Sequence, residues 1–96
     1  MASQMARINP AGNSSAFKNL ATECGWTEPG IHFFSTGSAM VIVQGATDAS
    51  DAASKEATHG FQIGTNSQYN MGQIAPEECW VRSAGATGIF AWVARL

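Results

Sequence analysis

The chain has 96 residues, 45% of them hydrophobic and 12% charged, with a formal net charge of −2. That length makes one domain, and its five basic residues, Arg7, Lys18, Lys55, Arg82 and Arg95, are too scattered to form a stripe for nucleic acid. No run of about 18 apolar residues is present, so no membrane-spanning helix is expected.

The hydrophobic share is swollen by 16 alanines; Leu, Ile, Val and Phe together number 17. Three tryptophans and a small net charge still argue against a wholly disordered chain. Ordering about 100 residues costs on the order of 100–200 kcal/mol of conformational entropy, and so thin a core offsets it with little margin. Burial against another copy is the natural remedy. Charge is also absent from Pro29 to Thr47 and from Ala57 to Pro76. Charge depletion with aromatics retained is the composition of an interface core. Buried strands of a single chain give the same pattern.

Met1 to Arg7 lacks the charged and apolar regions of a secretory signal. This predicts a soluble product, made and kept inside the cell until assembly or lysis. Asn9-Pro10-Ala11-Gly12-Asn13-Ser14-Ser15 is a cluster of turn formers, flanked by the isolated apolar residues Ile8, Phe17 and Leu20. Residues 1–22 therefore read as an extended N-terminal arm that lays three apolar anchors on a partner, or as a frayed tail. Residues 23–96 read as the folded domain. Cys24 and Cys79 are far apart in sequence and read as buried free thiols.

After the turn Thr27-Glu28-Pro29-Gly30, Ile31–Ser35 is predicted as a first strand and Ala39–Gln44 as a second. The second is β-branched and apolar on both faces, which places it centrally. Asp48 or Ser50 caps a short helix reaching Ala57. His59–Gly64, Tyr69–Ile74 and Glu78–Ser83 follow as strands, with Gly72 marking a bulge or a close backbone approach. The last strand, Thr87–Ala94, sets Ile89, Ala91 and Val93 on one face and Phe90, Trp92 and Ala94 on the other. Both faces are apolar, so the strand crosses a two-layer core or is covered on its second face by a neighbouring subunit. Six short strands describe an all-β fold, a small β-sandwich or jelly-roll.

The residues that carry chemistry do not assemble into a known pattern. His32 and His59 fall on predicted strands beside aromatic residues and read as hydrogen-bonded structural groups. Asp48 and Asp51 lack the ligand series of a calcium loop, Glu77 and Glu78 point apart at a strand start, and neither cysteine has a CxxC partner. No phosphate loop or cofactor motif is present. The expectation is a non-enzyme with no cofactor and no metal. Trp26, Trp80, Trp92 and Tyr69 remain, as a sugar-stacking platform or as apolar contacts. Polarity discriminates, because a sugar site needs Asp, Asn, Gln or Arg around the ring. Trp80 has Arg82 on its face and Gln73 near; along its own strand Trp92 has only Phe90 and Ala94.

The Gly/Ala/Ser-rich, Leu-poor β-body resembles small structural proteins of tailed bacteriophages, of the capsid decoration or cement type, and related tail-appendage β-domains. The resemblance covers residues 31–96 and is carried by Val43-Gln44-Gly45-Ala46-Thr47-Asp48, Trp80-Val81-Arg82-Ser83 and Gly88-Ile89-Phe90-Ala91-Trp92-Val93. It implies a jelly-roll or β-sandwich protomer, commonly a homotrimer, clamping the capsid surface of a virion at junctions of the major capsid protein, with an arm across the shell. On that reading Phe33, Trp80, Phe90 and Trp92 are expected at the protomer contact, and Ile8, Phe17 and Leu20 in the partner-binding arm. The alternative is a small carbohydrate- or host-receptor-binding module of a tail appendage.

Overall fold

The structure, a computed structural model, describes residues 4–8, 17–37, 39–84 and 91–96. In chain order these form β1 (Gln4–Ile8), β2 (Lys18–Asn19), α1 (Leu20–Cys24), β3 (Gly30–Thr36), β4 (Met40–Gln44), α2 (Ala49–His59), β5 (Gly60–Ile63), β6 (Gln68–Ile74), β7 (Cys79–Ser83) and β8 (Ala91–Arg95). The strands make two antiparallel four-stranded sheets, a front sheet in the order β1-β8-β3-β6 and a back sheet in the order β2-β7-β4-β5. The fold is a small all-β, sandwich-like one. The pairs β1·β8, β2·β7, β3·β6 and β4·β5 nest inside one another. One long hairpin has been rolled up, so that successive strands fall in opposite sheets except at β4 and β5.

Between the sheets lies the core. The front sheet contributes Ile8, Phe34, Ile74, Ala91 and Val93, and the back sheet contributes Met40, Ile42, Ile63, Cys79 and Val81. Leu20, Cys24 and Trp26, from the segment joining β2 to β3, join the same cluster. Alternation explains the choice: every second residue of each strand faces inward. Both cysteines are free and buried. Burial pushes the Cys79 thiol up to about 12, with Cys24 adding to the shift, so it behaves as a small apolar group.

The back sheet has a second apolar layer on its outer face. Val41 and Val43 of β4 pack there with Phe17, Ala46 and Ala52, and Trp80 and Ala84 close the cluster. Helix α2 supplies the lid. Asp48 caps it, its side chain accepting from the Asp51 N–H at 2.7 Å. Glu56 ties the helix to β7 through paired hydrogen bonds from Arg82 of 3.0 and 2.6 Å. This is why the Val41-Ile42-Val43 run is apolar on both faces.

Several expectations are corrected. Ile8, Phe17 and Leu20 are buried in the protomer's own clusters, and β1 is an integral strand of the front sheet. Residues 4–8 and 17–22 are therefore part of the body and not an extended arm. Asn19 accepts from the Ala21 N–H at 3.1 Å and so starts α1, and Gly25 ends it at φ +91°. His59 closes α2 instead of opening a strand, because the helix passes into β5 without a loop. Glu77 and Glu78 lie in a short 3-10 turn begun by Pro76, both exposed.

Candidate contact face and its cleft

Residues directly opposed in an antiparallel pair share a face, so the strand register shows what the front sheet presents outward. One row across it reads Met5, Ala94, Phe33, Asn70, and the next reads Arg7, Trp92, Ser35, Gln68. Ile31 and Gln73 form a third, joined by Leu96, whose N–H donates to the Ile31 carbonyl at 3.0 Å. No strand of this sheet carries an acidic residue. Among the described residues nothing of the chain covers this face. Met5 is 70% exposed, Leu96 50%, Trp92 42% and Ile31 41%. Tyr69, also exposed, faces the other way and meets Phe61 across the open edge of the sandwich at 5.2 Å between ring centres.

A cleft of about 430 Å³ runs over the middle of the face. Its walls include Met5, Phe33, Trp92 and Ala94 on the apolar side and Ser35, Gln68 and Asn70 on the polar side. A bulge shapes the polar wall. The β3·β6 register shifts between His32 and Phe33, leaving Met71 unmatched. Gly72 follows it at φ +74°, a backbone conformation that a side chain would strain. Its N–H donates to Asn70 Oδ1 at 2.7 Å, which holds the carboxamide by its oxygen and leaves the Nδ2 group as a donor.

Of the four residues expected at a protomer contact, Phe33 and Trp92 come together on this open face. Trp80 does not join them. It lies on the far side of the back sheet, half-buried in the cluster beside α2, and its Nε1 donates to the Ala46 carbonyl at 2.9 Å. Its ring is used within the chain, which corrects that expectation. Phe90 lies outside the described residues. Ser35, Gln68 and Asn70, which sequence reasoning missed, are Trp92's neighbours only through strand pairing. Alternation along β8 cannot reveal them.

The buried histidine has a structural explanation. His32 is fully buried, and Trp26 Nε1 donates to its Nε2 at 3.1 Å. An indole N–H can only donate, so Nε2 accepts and the ring proton sits on Nδ1, donating to the Gly30 carbonyl at 2.7 Å. Burial lowers its pKa, and the nearby Arg95 adds to the effect. Both nitrogens of His32 are therefore occupied within the chain. Among the described residues no three His, Cys, Asp or Glu side chains gather as a metal site, and no helix is long and apolar enough to cross a membrane. In comparisons with protein-family models, curated proteins and solved structures, nothing matches this chain.

Proposed function

We propose that the chain is a non-catalytic structural protein of a tailed-phage virion, a self-associating decoration or cement protein that uses the front face as its contact surface. One observation carries this reading: a sheet face that nothing among the described residues covers, carrying Met5, Phe33, Trp92, Ala94, Ile31 and Leu96, on a protein whose other sheet is covered by its own helix. Nested strand order, β1-β8-β3-β6 over β2-β7-β4-β5, supports a jelly-roll protomer of the kind such shells use.

Area supports an array over a free-standing dimer. Two strands of five residues and two of seven give the face a flat footprint of roughly 400 Å², a small base for the roughly 800 Å² of accessible surface that a stable interface buries on each partner. Each contact is therefore weak, and repetition on a lattice multiplies weak contacts. A trimer on the outer shell, resting on the major capsid protein, is the assembly this reading expects.

Light scattering over a range of concentrations tests it. The protein should run above its 10.1 kDa monomer mass at high concentration, and Met5→Glu and Trp92→Ala should return it to monomer. A wild-type chain that stays monomeric throughout overturns self-association. The carbohydrate-binding alternative has its own supporting observation, the polar row of Ser35, Gln68 and Asn70 beside Trp92.

A further inference from the structure

We propose that the cleft on the front face binds a neutral sugar ring, stacked on Trp92 and held by Asn70, Gln68 and Ser35. The inference rests on reading this face as the protein's contact surface and gives it a second occupant. A pyranose offers an apolar C–H face and a rim of hydroxyls, each of which donates and accepts. The cleft offers the matching halves. Trp92 and Phe33 provide apolar ring surface. Asn70 presents a donor whose orientation is fixed by the bulge. The Ser35 hydroxyl and the Gln68 carboxamide, on the same face and one row away, make no hydrogen bond to any described residue.

Charge narrows the ligand class. No charged side chain lines the cleft among the described residues; Arg7, opposite Trp92 on the same face, lies outside the lining and is engaged by a contact of its own, so an acidic sugar, a phosphate or an ammonium group finds no counter-ion within the cleft. Size points the same way. The cleft's 430 Å³ falls within the range of about 300–1,000 Å³ that holds small ligands. Sugar in the cleft and protein on the face exclude each other. Binding of one therefore weakens the other by linkage, and a virion array would multiply a weak sugar contact as it multiplies a weak protein one.

The experiment is an NMR titration of the full chain with methyl β-D-glucopyranoside, methyl β-D-galactopyranoside and N-acetylglucosamine, with glycerol as control. Light scattering is run on the same samples. At least one sugar should shift the Trp92 indole and the Asn70 and Gln68 carboxamide signals saturably, with a dissociation constant of about 1–10 mM; glycerol should not. Trp92→Ala and Asn70→Ala, each verified as folded by its amide spectrum, should weaken binding at least tenfold. Absence of saturable shifts in a monomeric sample overturns the sugar site and leaves the structural role standing. The same absence in an oligomer with a protected Trp92 overturns the sugar site and assigns the face to a second copy. Saturable binding by a chain that never self-associates upholds the sugar site and removes the self-association reading.

Discussion

Strands β4 and β8 have the same signature, apolar residues on both faces in the middle of a sheet, yet they end up in opposite situations. Inward, Met40 and Ile42 of β4 and Ala91 and Val93 of β8 meet in one core. Outward, Val41 and Val43 are sealed together with Ala52 of α2, while Trp92 and Ala94 lie in an open cleft. A doubly apolar strand therefore records a demand for cover without saying who supplies it. In the back sheet the chain answers with eleven residues of helix that carry little grease of their own. The front sheet has no such answer within the described chain, and that is the basis for placing function there.

The broadest way to break the comparison is to delete residues 1–22. This removes β1, β2 and the buried Ile8, Phe17 and Leu20, so the truncated chain should lack dispersed amide signals and cooperative melting. A truncation that still folds would restore the arm. A matched pair of charges gives the next effect. Ala52→Glu places a carboxylate at a fully buried site between α2 and the back sheet and should cost about 3–5 kcal/mol in urea unfolding. Met5→Glu adds the same group to the open face, where the residue is 70% exposed, and should stay within about 0.5 kcal/mol. Equal costs would mean that the two faces are not different after all.

A smaller effect belongs to the front sheet's inner face. Burial holds the folded His32 pKa below its unfolded value of about 6.5. Below that pH the unfolded chain takes up more protons than the native one, so the His32 contribution is full above about 6.5 and is lost as pH falls toward the lowered folded pKa. Protonation also turns Nε2 into a donor facing the Trp26 N–H. The urea midpoint should therefore drop between pH 7 and pH 5, with Trp26 fluorescence changing in step. His32→Gln, less stable at neutral pH, should flatten that slope. The carboxylates whose pKa values are lowered, Asp51 by the Thr47 N–H and Glu56 by Arg82, lose their contribution only at more acidic pH.

The legible parts of the fold were those whose signal is local. Alternation and β-branching place β3, β4, β6 and β7 within a residue or two of where they lie, and the Asp48 cap announces α2. Residues before Trp26 were misread because their structure depends on distant partners. Met5 pairs with Ala94, and two-residue β2 exists only by pairing with Lys18↔Val81 and Asn19↔Trp80. Helix α1, at five residues, is shorter than any periodicity can resolve. The site divides the same way. Trp92 and Phe33 could be picked out as apolar anchors, but the polar wall belongs to β3 and β6 and becomes a wall only through register. Trp80 and Trp92 were both expected at the protomer contact; what separates them is a helix beside one and nothing of the described chain over the other.

The nested pairing also sets how the chain can find its shape. Outermost, Gln4 lies opposite Arg95, and their side chains hydrogen-bond across a separation of 91 residues. Innermost, Val43 meets Gly60 across the single helix between them. Loop closure costs more as the loop lengthens, about 0.6 kcal/mol for each doubling. Zipping from β4·β5 outward shortens every later loop before it must close, and the least costly route runs from the middle of the sequence toward both ends. So many long-range pairings favour slow folding, in milliseconds to seconds. Until the front sheet closes, β8 bares its inner face, Ala91 and Val93, as well as its outer one, Trp92 and Ala94.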